Sequence, residues 1–235
     1  MQATDILKEL KALGAESYRK VLRNHGVNEP MFGVKISELK KIQKRLGRVY
    51  ELALELFDTG NYDAQYLAGL VVDDKRMTQR DLKKWLKSAN CRAISAYPVA
   101  WVAAESPHGH KLGLEWIDSK QELTAATGWA TLASWISITP DQELDFTELT
   151  NLLERISKTI HQQPDHVRYG MNNFVIVAGT YVPELTEVAL KVGKTIGVVQ
   201  VDMGNTACEV PAAIEHIQKA VKKGVIGKKR KSAKC

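Results

Sequence analysis

Residues 91–135 read CRAISAYPVAWVAAESPHGHKLGLEWIDSKQELTAATGWATLASW. Four of the five tryptophans lie here, Trp101, Trp116, Trp129 and Trp135, yet no arginine occurs between Arg92 and Arg155, and only Lys111 and Lys120 bring positive charge. Short apolar stretches follow one another across brief polar breaks. Ile94, Tyr97 and Trp101 stand near one line of a helix over 93–104, in which Pro98 predicts a kink or a late start. Pro107, His108 and Gly109 end that helix. Leu114 to Ile117 form a short helix, and Ser119 with Glu122 makes a capping-box pattern opening another over 121–136. Strand-like alternation is missing, so the stretch predicts helices paired by short turns.

The same design continues on both sides. Upstream, 4–23 carries Ile6, Leu7, Leu10, Leu13 and Tyr18 on one side behind Thr4 as N-cap. Gly26 to Gly33 is a break. From Val34 to Leu46, Ile36, Leu39, Ile42 and Leu46 make an apolar stripe opposite Lys40, Lys41, Lys44, Arg45 and Arg48. Helices over 49–57 and 62–72 flank a turn at Thr59, Gly60 and Asn61, and Thr78 with Asp81 starts a helix whose Leu82, Trp85, Leu86 and Ala89 oppose Arg80, Lys83, Lys84 and Lys87. Downstream, Thr139 and Pro140 open a helix with Leu149, Leu152, Leu153, Ile156 and Ile160. Pro164, Pro183 and Pro211 stand before helices over 165–180, 184–195 and 212–223. One segment breaks the pattern. Ile196, Val198, Val199 and Val201 are β-branched and precede a Gly204-Asn205 turn, which predicts a short β-hairpin at 196–209 or an extended loop. About eleven short amphipathic helices predict an all-α chain of stacked antiparallel pairs, a helical solenoid without a strict repeat period. Residues 1–224 are expected to form one domain, and the basic residues of 225–235 a disordered tail.

Charge is divided along the chain. Residues 1–92 hold 18 Lys or Arg against 12 Asp or Glu, residues 93–218 hold 7 against 15, and residues 219–235 hold 8 bases and no acid. The formal charge of +6 therefore describes two basic zones and an acidic middle. Three widely spaced cysteines, Cys91, Cys208 and Cys235, form no CxxC pair and predict neither disulfides nor a zinc site. Cys91 and Cys208 are expected to be buried. His108 and His110 lack neighbouring ligands at metal spacing, so an exposed loop is expected there. No apolar run approaches the roughly 18 residues of a membrane span. The N-terminal pattern is not that of a signal or transit peptide, so a cytoplasmic protein with no membrane association is expected.

Several short motifs, in order, resemble one family. GVKISELKKI at 33–42, YDAQYLA at 62–68, WIDS at 116–119 and VRYGMNNF at 167–174 are similar to the DNA alkylation repair proteins of the AlkD type, a likeness running over roughly residues 15–223. The resemblance implies a HEAT-like, armadillo-type α-α superhelix that holds duplex DNA in a basic concave groove. It also implies excision of N3- and N7-alkylated purines, aided by a Trp and an Asp one turn apart, an Arg on a following helix and a later Trp. Such a carboxylate would stabilise positive charge developing on the sugar. This chain departs at each place. Tyr97 and Trp101 stand where Trp and Asp are expected, the arginine position falls among Leu123, Thr124, Ala125 and Ala126, and the later tryptophan falls near Asn172.

The expectation is therefore a DNA-binding protein without base excision, gripping backbone phosphates of bent, nicked or branched double-stranded DNA. The expected contacts are Lys35, Lys40, Lys41, Lys44, Arg45, Arg48, Arg80, Lys83, Lys84, Lys87 and Arg92, with Lys228, Lys229, Arg230 and Lys231 in the tail. A monomer is expected, with no cofactor and no metal. An active glycosylase would have to use Tyr97, Trp101, Glu105 and Asp118, with Glu115 the remaining acid near the aromatic cluster. A third reading is a protein-binding scaffold, for which the acidic middle would suit a basic partner.

Overall fold

A computed structural model describes residues 2–234, and among them every regular element is a helix. Fourteen α-helices run α1 Ala3–Leu13, α2 Glu16–Asn24, α3 Ile36–Leu46, α4 Tyr50–Asp58, α5 Tyr62–Val71, α6 Gln79–Ser88, α7 Arg92–Ile94, α8 Ala100–Glu105, α9 Gly109–Ile117, α10 Glu122–Ile138, α11 Phe146–Thr159, α12 Asp165–Tyr181, α13 Thr186–Ile196 and α14 Ala213–Lys222. Among the described residues no helix is long and apolar enough to cross a membrane. The chain packs as two compact units. Among the described residues the first comprises 2–108, 203–207 and 234, and the second comprises 109–202 and 208–233.

In the first unit α5 is the centre, and all ten of its residues are buried. A fully buried helix has no solvent for its polar side chains, so most of their polar atoms are answered internally, with Gln65 Oε1 an exception. Asn61 caps the helix by accepting from the Asp63 and Ala64 amides. The Asp63 carboxylate accepts the backbone N–H groups of Phe32, Gly33 and Val34 at 2.6, 3.1 and 2.8 Å. Gln65 Nε2 donates to the carbonyls of Phe57 at 3.3 Å and Ser88 at 2.9 Å. One helix thus fixes the segment before α3 and the ends of α4 and α6. Phe57 and Trp85 stack at 4.1 Å with nearly parallel rings, joining α4 to α6.

The kink expected at Pro98 is a π-helical turn, Ser95–Val99, between α7 and α8. A proline lacks the amide that would continue the ladder, and the wider turn accommodates it. Gly69 of α5 lies against this turn, where an added Cβ would meet Pro98 Cβ at 2.5 Å.

The second unit is built on two helices of 17 residues, α10 and α12, packed on each other, with α9 against α10. Glycines permit the close approach: a Cβ on Gly128 would stand 2.6 Å from the Ile117 amide nitrogen. Trp129 is completely buried and meets Phe174 edge-on at 5.4 Å.

Several sequence expectations are corrected. The first helix is two, α1 and α2, because the chain turns at Gly14, whose missing Cβ lets the Phe32 carbonyl approach and whose neighbour Ala15 donates to the Gly33 carbonyl at 3.1 Å. Gln2, not Thr4, caps α1, in a box with Asp5. Ser119 and Glu122 form no capping box: Ser119 Oγ accepts the Gln121 amide, and Glu122 accepts that of His166. Pro140 opens a single 3-10 turn, Asp141–Glu143, and Asp145 is the cap that starts α11. The 196–209 segment forms no hairpin. Beyond Ile196 it is extended loop, fixed where Asp165 Oδ2 accepts the Asp202 amide at 2.8 Å and Asn172 Nδ2 donates to the Pro211 carbonyl at 2.9 Å. Cys91 is buried, but Cys208 on that loop is exposed; Cys235 lies outside the described residues.

The basic tail is placed and packed through Lys234, not disordered. The Gly227 amide donates to the Thr180 carbonyl at 2.9 Å, and that of Arg230 to the Ser137 carbonyl at 2.8 Å. These carbonyls belong to the last turns of α12 and α10, where helices leave acceptors unused. Lys229 Nζ adds the Ile136 carbonyl at 3.0 Å and Asp141 at 2.8 Å. Composition alone suggested disorder because the carbonyls that receive this segment are far away in sequence.

Candidate nucleic-acid interface

The basic faces read from sequence are real helix faces in the first unit. α3 buries Leu39 and Ile42 and exposes Lys40, Lys41, Lys44 and Arg45; α6 buries Leu82 and Trp85 and exposes Arg80, Lys83, Lys84 and Lys87. Their charges are not equally available. Lys41 pairs with Glu38 at 2.8 Å, Arg45 with Glu9 at 2.5 Å and Lys84 with Asp58 at 2.5 Å. Lys35, Lys40, Lys44, Arg48 and Lys87 have no ion-pair partner among the described residues. Arg80 adjoins Asp81, whose carboxyl sits below its usual range: burial opposes this, but hydrogen bonds from Thr78 and Tyr50 outweigh it, with Arg80 helping. Lys83 and Arg92 each have an intrachain interaction. Exposed pairs such as Lys84–Asp58 contribute only about 0–1 kcal/mol, so a phosphate competes for those cations at small cost.

In the tail, Lys229 is four-fifths covered and committed to Asp141, and Arg230 has intrachain interactions, whereas Lys228 and Lys231 are exposed. At its end Lys234 Nζ lies 2.8 Å from each oxygen of Asp74, a carboxyl only 1% exposed. Burial, reinforced by the charge of Glu105 and opposed by Lys234, pushes Asp74 up to about 6. Nothing in the sequence marked Asp74 as the receptor of a lysine 160 positions away.

The aromatic candidates come together. Tyr97 and Trp101 are 5.6 Å apart on the two sides of the π turn's end, and Trp101 meets Tyr66 edge-on at 5.9 Å. Trp101 is 5% exposed and Tyr97 39%, so Tyr97 alone presents much ring to solvent. Glu105 ends α8, and its charge bears on Asp74. In the second unit Asp118 is bound by Arg155 at 2.6 Å. That guanidinium also donates to the Ile117 carbonyl at 3.2 Å and lies over the Trp129 ring at 5.8 Å.

His110 is not on an exposed loop: it opens α9, stacks on Trp135 at 4.5 Å and contacts Glu148 at 2.6 Å. Among the described residues no group of His, Cys, Asp and Glu is arranged to hold a metal.

A family model described as DNA alkylation repair enzyme matches residues 6–217. The chain belongs to the DNA alkylation repair enzyme family. Two relatives in Listeria monocytogenes and Listeria innocua, both described as uncharacterised proteins, are each 33% identical over 217 residues, covering 90% of this chain and 94% of theirs. A solved structure described as a new family of proteins related to the HEAT-like repeat DNA glycosylases with affinity for branched DNA structures matches with a TM-score of 0.92 and 34% identity over 100% of both chains. The fold is thus the HEAT-like repeat fold of this DNA alkylation repair relative. The residues that the sequence comparison singled out are placed as follows. Trp101, where an Asp was expected, is packed in the core; Ala125 and Ala126 are buried; and Asn172 is spent on holding the Pro211 carbonyl.

Proposed function

We propose that this chain binds DNA through backbone phosphates, favours branched or otherwise distorted duplexes, and does not excise bases. The observation that carries the reading is the end-to-end likeness to a structure described as having affinity for branched DNA. The exposed cations of α3 and α6 support it, since phosphate contacts give affinity without reading sequence. A buried tryptophan in place of a carboxylate, and no arginine at 123–126, speak against glycosylase chemistry, which needs a positioned anion and not merely a nearby one. The protein would act as a monomer in the cytoplasm without cofactor or metal.

The test is a binding titration comparing a four-way junction with a linear duplex of equal length across salt, beside a release assay for methylated purines. Tighter binding to the junction, with affinity falling steeply as salt rises, is expected, and no free base. A salt slope near zero overturns the phosphate reading. Release of methylated purine that disappears in Glu105→Gln or Asp118→Asn overturns the non-excising one.

A further inference from the structure

The last acid of the chain is Glu215, and every charged residue after it is basic. α14 turns Ala213, Ile217 and Ala220 inward. Lys219, Lys222 and Lys223 stand at i, i+3 and i+4 on its other side, all exposed, and none has an ion-pair partner among the described residues. Several other cations of the second unit are paired, Arg155 with Asp118, Lys158 with Glu154, Arg168 with Asp165 and Lys229 with Asp141, while Lys111, Lys120, Lys191 and Lys194 are exposed outside any such group of three. Like charges at i, i+3 and i+4 lie about 5–6 Å apart and repel by a few tenths of a kcal/mol per pair. The helix dipole repays part of that cost at a C-terminus, but it requires no cluster of three.

The cluster is also held in place. Gly224, at φ +62°, ends α14 with its amide on the Val221 carbonyl at 2.9 Å, and Val225 donates to Ala220 at 3.2 Å. This is the paired closure of a Schellman motif. The chain then reaches the α12 and α10 carbonyls through Gly227 and Arg230, leaving Lys228 and Lys231 exposed on either side of the fixed Lys229. Five ammonium groups are thus carried on ordered backbone, none of them in an ion pair among the described residues. A duplex presents roughly one negative charge per 1.7 Å of its axis, a density that satisfies such a cluster where a single carboxylate does not.

We propose that Lys219, Lys222 and Lys223, extended by Lys228 and Lys231, form a further phosphate-contacting surface for DNA, carried by the second unit in addition to the basic helices of the first. The proposal rests on the DNA-binding reading above and adds a surface to it. The test uses the full chain with Lys219→Gln, Lys222→Gln and Lys223→Gln combined, titrated against a labelled four-way junction across salt. Affinity at low salt is expected to fall about tenfold or more, with the slope of log affinity against log salt shallower by about 2–3, since each lost phosphate contact removes roughly 0.9. The melting temperature should stay within a degree or two of the parent. A variant with the parent's affinity and slope, beside a parent that binds steeply, removes this surface and leaves the DNA-binding reading intact. A parent that binds the junction without salt dependence overturns both. Binding of the parent to phosphatidylserine vesicles, lost in the variant while junction binding survives, overturns the proposal in favour of an anionic membrane.

Discussion

Single residues carry much of the order in the first unit. Asp63 is buried and accepts three backbone amides ahead of α3. Burial pushes its carboxyl up, and the amides of Val34, Phe32 and Gly33 oppose that shift. Asp63→Ala would strand these donors, each worth about 1–3 kcal/mol when left unanswered, so a loss of at least about 3 kcal/mol is expected in urea unfolding. A loss under 1 kcal/mol would mean that water replaces the carboxylate freely. Asp74 makes a pH-dependent prediction. Its folded-state value of about 6 lies above that of an unfolded aspartate, so the folded state holds more protons between pH 4 and 6. The stability that this group contributes is therefore greatest below about pH 4 and declines through pH 6, by on the order of 2–3 kcal/mol. Subtracting the Asp74→Asn curve from the parent's should show that decline; a difference constant from pH 4 to 7 refutes it. Neither aspartate was legible as structural in the sequence, because its partners are backbone amides or a distant lysine, which leave no periodic signature.

Among the elements, those whose apolar faces repeat at helical spacing were legible: α3, α5, α6, α12 and α14 begin and end within about two residues of where the pattern placed them. The errors fell at helix starts with competing caps. Thr139-Pro140 lost to Asp145, whose side chain accepts the Thr147 and Glu148 amides at 2.9 and 3.0 Å. Thr4 lost to Gln2, which is boxed with Asp5. The C-terminal segment supplies the prediction at this scale. A chain ending at Gly224 loses the amides that close α10 and α12 and the Lys229–Asp141 pair. At about 1 kcal/mol per hydrogen bond, a melting temperature lower by several degrees is expected. Unchanged melting would show that solvent closes those helix ends equally well.

For the whole molecule, the all-helical class and the family were legible, the first from periodicity and the second from the order of four motifs. Which cations remain available was not. Pairs such as Arg45–Glu9 join residues 36 apart, and Lys84–Asp58 residues 26 apart, so a charge count along the chain treats bound and unbound cations alike. The division now drawn within the first unit makes a prediction of its own. Combining Lys40→Gln, Lys44→Gln and Lys87→Gln should lower junction affinity and flatten the salt slope by about 2–3. Replacing the ion-paired Lys41, Arg45 and Lys84 by glutamine should cost less affinity per residue, because each must first leave its carboxylate. Equal losses from the two sets would show that intramolecular pairing does not govern access to phosphate.

The snug seating of Ala233 and Lys234 has a practical corollary for the laboratory bench. An affinity handle or fluorescent reporter fused after Cys235 would begin two residues beyond a lysine whose side chain is 10% exposed and three beyond an alanine with no exposed surface. Bulky cargo there would tend to pull both from their seats, so handles belong ahead of Met1, before a helix that opens at Ala3.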